Sequence, residues 1–272
     1  MDSLAGQEVK VCCATFYESD LVRLLFGDIF HPGGLALTRH LGERIGLEPE
    51  ARVLDIACGR GSSAVHLAER FGCHVTGLDY GAENIAAAEA HASERQVGHL
   101  TSFRQGDAEG LPFEDGEFDA VISECSFCTF PDKTTAAAQM SRVLRRPEPA
   151  EGKPGGRLGL TDMTVSSTLP DDVQSLLAWG ACVAGASTAR EYENILQAAG
   201  FTGFEVEDRR DVLLDMVADV RRRLLGVELA AGLGKLDLGD LDLDEGKRLA
   251  RRVVDLIEDG VVGYTLVTAW KE

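Results

Sequence analysis

The sequence is poor in basic residues and has no long apolar run. Its 272 residues include 27 Lys and Arg against 45 Asp and Glu, a formal net charge of -18. A field of that sign repels phosphate backbones and anionic membranes, so neither nucleic acid nor a membrane is an expected partner. No stretch approaches the ~20 apolar residues of a membrane span, and the opening MDSLAGQEVK lacks the basic-then-apolar pattern of a signal peptide. We therefore expect a cytoplasmic protein.

The seven cysteines do not form a disulfide pattern, because their number is odd and their spacing irregular. In the cytoplasm they would remain free thiols. Cys125 and Cys128 have C-x-x-C spacing, but no second pair and no histidines at ligand spacing accompany them, so we expect no metal site. Cys58 and Cys73 are interpreted as small buried apolar residues.

Short apolar strands alternate with helical segments along most of the chain. Strands are predicted at 51–61, 73–80, 101–105, 118–126, 155–163, 201–210 and 261–270, the last as an antiparallel edge. Helices are predicted in 16–46, with a break at HPGG, in 169–186, and across most of 211–258. This alternation indicates an α/β fold with a doubly wound, mostly parallel sheet.

Acidic and glycine residues follow the first three predicted strands. VLDIACGRG contains Asp55, Gly59 and Gly61 between a strand and a helix, where glycines let the backbone turn tightly beside a ligand. Asp79 ends the second strand, where an acid can accept both hydroxyls of a ribose. Asp107 follows the third strand, where it can receive an adenine amino group. The pattern predicts a nucleoside site.

These segments carry a family resemblance. DIACGRG, GLDY, GDAEGLPF, FDAVIS and RVL…PGGRL, in that order, resemble the core of the class I S-adenosylmethionine-dependent methyltransferases. The resemblance implies a Rossmann-like seven-stranded sheet whose last strand is antiparallel, with S-adenosyl-L-methionine as cofactor. The cofactor-binding residues that it implies are Asp55, Gly59 and Gly61 at the methionine end, Asp79 with Tyr80 at the ribose, Asp107 and Ala108 at the adenine, and Ser123 after the fourth strand.

The same resemblance divides the chain into three parts of one domain. Residues 1–50 would be an N-terminal helical cap and 51–165 the cofactor-binding core. Residues 166–272 would hold the substrate-side helices, a C-terminal helical elaboration and the closing strands.

Two further segments resemble the arsenite methyltransferases. VISECSFCTFPDK aligns Cys125 with a substrate-binding cysteine of that family, and WGACVAGA aligns Cys182 with a second one. Trivalent arsenic is soft and prefers thiolates, and its lone pair can attack a sulfonium methyl without a general base. A thiol reductant, glutathione or thioredoxin, would then be a partner besides the small-molecule substrate. Where that family has a further cysteine this chain has Asp28. Either Cys12, Cys13 or Cys128 supplies a third sulfur, or the site uses two cysteines and accepts a monomethylated or otherwise substituted arsenical, which is the alternative we favour.

Two alternatives remain open. In the first, the methyl acceptor is an oxygen, nitrogen or carbon of a small metabolite, and the cysteines only pack in the core. An oxygen or nitrogen acceptor needs a base, for which His31 in HPGG is the best candidate. Alternatively, the protein is a non-catalytic thiol protein that binds an arsenical or a metal.

Overall fold

The computed structural model describes residues 3–18, 27, 29–148, 150, 154–167, 182–183, 185–232 and 243–272. Over these residues the chain forms eight α-helices and seven β-strands. The helices are α1 (Ser3–Glu18), α2 (Gly34–Arg44), α3 (Ser62–Phe71), α4 (Ala82–Glu94), α5 (Lys133–Val143), α6 (Ala189–Ala198), α7 (Arg210–Gly232) and α8 (Leu243–Glu258). The strands are β1 (Arg52–Ile56), β2 (His74–Asp79), β3 (Thr101–Gln105), β4 (Ala120–Glu124), β5 (Arg157–Val165), β6 (Phe201–Asp208) and β7 (Val262–Lys271).

The seven strands form one sheet in the order β3-β2-β1-β4-β5-β7-β6. Strands β1 to β5 pair in parallel, whereas β7 runs antiparallel to both of its neighbours. The predicted α/β sheet with an antiparallel last strand is confirmed. The expectation that this strand is an edge is wrong, because β7 is buried along most of its length and pairs on both sides. The edges are β3 and β6.

Alternating side chains of the central strands face two apolar layers. Val53 packs in the layer with residues of α2, α3 and α8, whereas Leu54 packs in the layer with residues of α5 and α6. Strand β4 is buried at all five positions, as expected for a strand covered on both faces. The carboxyl ends of the parallel strands therefore meet at one edge of a rigid sheet.

The helices at the two ends of the chain differ in part from the prediction. Helix α1 begins at Ser3, before the expected start at Phe16, and α2 follows the HPGG break as predicted. Helices α7 and α8 confirm a largely helical 211–258. Asp28 and most of 169–186 lie outside the described residues. The described part of that segment is a turn, since Cys182 has a φ of 66°, which a right-handed helix cannot contain. No described helix is long and apolar enough to cross a bilayer.

Candidate active site

One pocket opens at the carboxyl ends of β1, β2 and β4. It is lined by residues of the loops that follow these strands and β3, together with residues of α1 and the HPGG segment. The lining includes Lys10, Phe30, His31, Asp55, Gly59, Asp79, Tyr80, Asn84, Asp107, Ala108, Glu109, Glu124, Cys125 and Ser126. Most of the residues predicted to bind a nucleoside are therefore brought together.

The glycine turn after β1 has two different functions. Gly59 lines the pocket with a φ of 53°, a conformation that glycine adopts without a Cβ penalty. Gly61, predicted to line the methionine end, is not among the lining residues. A Cβ added to Gly61 would lie 2.8 Å from the Ala88 Cβ, so this glycine allows α3 to approach α4 closely.

Asp55 lines the pocket and has a buried carboxylate oxygen without a described hydrogen-bond partner. The residue is 2% exposed, and its Oδ2 has no hydrogen-bond partner among the described residues. Burial raises the pKa of Asp55 well above its usual value, and the nearby Glu124 and Asp79 raise it further. A buried acceptor of this kind is stabilised by a cationic donor such as an ammonium group.

At the end of β2, the Asp79 carboxylate accepts hydrogen bonds from described residues on both sides of the pocket wall. Its Oδ2 accepts from the Gly59 N–H at 2.8 Å, and its Oδ1 accepts from the Gly81 N–H at 2.9 Å and from Asn84 Nδ2 at 3.1 Å. Tyr80 follows in the pocket wall. These bonds hold the glycine turn and the start of α4 around one carboxylate.

At the other end of the pocket, α1 covers the loop after β3. Lys10 Nζ donates to Asp107 Oδ2 at 2.8 Å and also contacts Glu109. Burial lowers the pKa of Lys10, but the hydrogen bonds to these two carboxylates outweigh it and the net shift is upward. Ala108 lies between them in the wall. Sequence reasoning missed Lys10, since nothing local pairs it with a residue 97 positions away.

Glu124, the last residue of β4, is the centre of a buried polar network. Its Oε2 accepts from Ser63 Oγ at 2.7 Å and from Thr38 Oγ1 at 2.9 Å, and lies 3.6 Å from His31 Nε2. Pro32 O is 3.2 Å from His31 Nδ1, and because a carbonyl only accepts, that nitrogen carries the proton. Glu124 Oε1 has no partner among the described residues, although the side chain is buried.

Sequence reasoning named His31 but missed Glu124. The available signal was an acid at the carboxyl end of a strand, the same signal that identified Asp55 and Asp79. Ser123, predicted beside the cofactor, is fully buried and its hydroxyl contacts that of Ser126. Ser126 lines the pocket and Ser123 is not among the lining residues.

Three of the predicted thiols lie near one another at the ends of β4 and β5. Cys125 lines the pocket, whereas Cys182 and Cys128 are buried and are not among its lining residues. Cys182 Sγ donates to the Cys125 carbonyl oxygen at 3.2 Å. A hydrogen bond to the Cys182 thiol, followed by burial, raises the pKa of Cys125, and burial raises that of Cys128.

Cys125, Cys128 and Cys182 are reduced and are not joined by disulfides. Over the described part of the chain, no three His, Cys, Asp or Glu side chains are arranged to hold a metal ion. Cys12 and Cys13 lie in α1, with side chains outside the described residues.

Asp162 in β5 makes the stability of the fold depend on pH. Burial raises its pKa from 3.8 to about 7, while the N–H groups of Cys128 and Met163 donate to its carboxylate. The folded protein therefore holds a proton that the unfolded chain loses near pH 3.8, so stability falls as pH rises from there to 7. Relative to Asp162→Asn, which cannot titrate, we expect wild type to lose about 3 kcal/mol of unfolding free energy between pH 5 and pH 8. Urea unfolding at both pH values measures this difference. An equal change of unfolding free energy with pH in wild type and in Asp162→Asn would refute it.

The pocket has the chemistry to hold a cationic nucleoside. Asp55, Asn84 and Glu124, which line it, each have a buried oxygen without a hydrogen-bond partner among the described residues, and the acidic residues Asp79 and Asp107 line it as well. An ammonium group, a sulfonium and ribose hydroxyls would supply the missing donors and positive charge. The sheet order and this site at the carboxyl ends of the strands define the class: an S-adenosylmethionine-dependent methyltransferase.

The sequence comparisons agree with that class. A family model described as "Methyltransferase domain" matches residues 47–200, and the chain belongs to this family. Methyltransferase GfsG of Streptomyces halstedii is 31% identical, with 93% of this chain and 91% of that protein covered. The 27-O-demethylrifamycin SV methyltransferase of Amycolatopsis mediterranei is 27% identical, with 93% of both covered. The arsenite methyltransferase of Halobacterium salinarum is 32% identical over 64% of this chain and 42% of that protein.

Solved methyltransferase structures share the fold. Phosphoethanolamine N-methyltransferase 2 of Haemonchus contortus, in complex with S-adenosyl-L-methionine, has a TM-score of 0.74 at 22% identity, covering 92% of this chain and 56% of that one. Geranyl diphosphate C-methyltransferase of Streptomyces coelicolor, in complex with S-adenosyl-L-homocysteine, has a TM-score of 0.67 at 19% identity, covering 87% and 79%. The cofactor of the present protein is S-adenosylmethionine and its acceptor a small molecule.

Proposed function

We propose that this enzyme transfers the methyl group of S-adenosylmethionine to a hydroxyl oxygen of a small metabolite, with Glu124 as general base. The observation that carries the proposal is the unpartnered Glu124 Oε1, buried in the pocket wall at the end of β4. Bound S-adenosylmethionine supplies a methyl group on a sulfonium sulfur, an electrophile that an oxygen lone pair attacks in line. Glu124 Oε1 accepts the proton that the hydroxyl loses.

The network around Glu124 suits a base. Ser63 and Thr38 donate to Oε2, which fixes the carboxylate and leaves Oε1 as the accepting oxygen. His31 Nε2 lies 3.6 Å from Oε2 and is part of the buried polar surroundings of the carboxylate. Because the side chains are buried, their orientation is maintained without solvent reorganisation.

We assign the cofactor-binding side of the pocket from two sources, the buried polar atoms without a described partner and the family resemblance. Asp55 binds the ammonium of the methionine moiety, and Gly59 lets the ligand approach the backbone. Asp79 and Tyr80 hold the ribose, and Asp107 and Ala108 border the adenine. Gly61 and Ser123 act through packing, since neither is a lining residue.

The extent of the sequence alignments favours an oxygen acceptor over an arsenic acceptor. The 27-O-demethylrifamycin SV methyltransferase, whose name gives an oxygen position, aligns over 93% of both chains. The arsenite methyltransferase aligns over 64% of this one. Nearly the whole of this chain is thus shared with an enzyme of the first kind.

The test is the identity of the product. Purified enzyme and S-adenosylmethionine are offered a panel of phenols and aliphatic alcohols, small amines, and arsenite with glutathione. The products are identified by mass spectrometry. We expect methyl ethers with stoichiometric S-adenosylhomocysteine. Methylated amines or methylarsenicals without any methyl ether would overturn the proposal.

A second candidate is methyl transfer to trivalent arsenic at Cys125 and Cys182. It is favoured by backbone strain, because both cysteines have a positive φ, 53° and 66°, that non-glycine residues seldom adopt. Cys125 also lines the pocket. Against it, the raised pKa of Cys125 keeps that thiol protonated at neutral pH. Cys128, Cys12 or Cys13 would supply any third sulfur.

A further inference from the structure

The pocket is rich in acidic side chains and poor in basic ones. Among the described residues that line it, the Lys and Arg side chains are those of Lys10 and Arg60. The acidic side chains of the same lining are those of Asp55, Asp79, Asp107, Glu109 and Glu124. The formal net charge of the whole chain, -18, has the same sign. Because a cleft lined by charges of one sign strengthens the potential inside it, the pocket repels small anions.

The two basic side chains are already engaged in the cofactor-binding part of the pocket. Asp107 and Glu109 hold the ammonium group of Lys10 between α1 and the loop after β3. Arg60 belongs to the glycine turn after β1 and has an interaction partner of its own. Neither is therefore a ready counter-ion for a negatively charged methyl acceptor.

The base itself is unfavourable to a second negative charge. Glu124 must be ionised in order to accept a proton, and its described partners Thr38, Ser63 and His31 include neither Lys nor Arg. A nearby anion disfavours the ionised form of a carboxyl group. A negatively charged acceptor would thus lose its hydration without a counter-ion and would also weaken the base.

Apolar side chains line the pocket on either side of this base. Phe30 is adjacent in sequence to His31, and Phe130 and Pro131 lie in the loop after β4. Helix α1 packs against that loop, since a Cβ added to Gly6 would lie 3.5 Å from the Pro131 Cβ. Walls of this kind favour an apolar body that leaves water on binding.

We propose that the acceptor site takes an uncharged hydroxyl compound with an aromatic or aliphatic body and rejects compounds that carry a phosphate or carboxylate group. The inference rests on the proposed function, because it takes Glu124 as the base beside the acceptor. It adds the charge and polarity of the acceptor, which an oxygen nucleophile alone does not determine.

Three phenols of one skeleton test the charge preference. They are para-hydroxybenzyl alcohol, which is uncharged, para-hydroxyphenylacetate and para-hydroxyphenyl phosphate. Calorimetry measures their binding to the complex of enzyme and S-adenosylhomocysteine. Relative to the uncharged phenol, we expect about tenfold weaker binding of the carboxylate and about 100-fold weaker binding of the phosphate ester. Both penalties should shrink in about 0.5 M salt, which screens the field of the pocket.

A charge introduced beside the base separates electrostatics from shape. Thr129 lines the pocket in the loop after β4, and Thr129→Lys should remove most of the carboxylate penalty. Thr129→Met, which has a long side chain without charge, is the matched control and should retain the penalty. The salt dependence of wild type remains a test if either variant fails to fold.

The proposal would be overturned if either anion bound as tightly as the uncharged phenol, if the uncharged phenol did not bind, or if Thr129→Lys and Thr129→Met had equal effects. The same phenols are then incubated with enzyme and S-adenosylmethionine. Preferential binding of the uncharged phenol without any methyl ether would contradict oxygen transfer and support the charge preference, so the two proposals fail separately.

Discussion

Replacing Glu124 by glutamine is expected to lower kcat for O-methylation by about 10²- to 10⁴-fold, the range for loss of a positioned general base. Glutamine has nearly the same shape and can still accept from Ser63 and Thr38 through its amide oxygen. It cannot accept the proton of the acceptor hydroxyl. Because the substitution removes a function needed only in the chemical step, KM for S-adenosylmethionine should change little.

Single-turnover rates at saturating cofactor measure this effect free of product release. Ser126→Ala is a matched control in the same segment, since it alters another pocket-lining residue without a carboxylate, and it should keep most of the rate. A Glu124→Gln enzyme with the wild-type rate would show that Glu124 takes no proton.

Replacing Asp55 by asparagine is expected to weaken S-adenosylhomocysteine binding by about 100-fold at pH 8. The variant loses a charge-assisted hydrogen bond to a buried ammonium, which is stronger than a bond between neutral groups. 5′-Methylthioadenosine lacks the amino-acid part of the ligand and should bind equally well to wild type and variant. Loss of both ligands to the same extent would mean that the substitution disturbs the glycine turn instead.

The raised pKa of Asp55 also makes wild-type binding release a proton. Free Asp55 keeps its proton above the usual carboxyl range, and an arriving ammonium favours the ionised form, so the pKa falls on binding. Affinity should therefore rise with pH up to the pKa of the free protein and then level off. Calorimetry in two buffers of different ionisation enthalpy measures the released proton, which Asp55→Asn should not show.

Much of the donor site could be predicted from sequence because its signals are local. Asp55, Asp79 and Asp107 each follow a strand, and parallel strands bring their carboxyl ends to the same edge. Gly61 shows the limit of that reasoning, since in the same turn Gly59 lines the pocket whereas Gly61 lies against Ala88. Which of the two glycines lines the pocket and which contacts the neighbouring helix depends on how the helices pack.

The acceptor side could not be predicted in the same way, because its contacts are distant in sequence. Glu124 meets Thr38 across 86 residues and Ser63 across 61. Nε2 of His31, the predicted base, lies beside this network, and the oxygen that has no partner among the described residues belongs to Glu124. Among the described thiols, Cys125, Cys128 and Cys182 lie close together, and of these three Cys125 lines the pocket.

The most direct test of whether methyl reaches oxygen through Glu124 compares two variants in one assay. The assay uses wild type, Glu124→Gln and the Cys125→Ser/Cys182→Ser double variant. Each enzyme receives S-adenosylmethionine, the best hydroxyl acceptor from the product panel, and arsenite with glutathione. The methyl ether and the methylarsenical are quantified by mass spectrometry. We predict methyl ether from wild type and the double variant and almost none from Glu124→Gln. The proposed function would be contradicted if wild type and Glu124→Gln made methylarsenical at the same rate while the double variant made none.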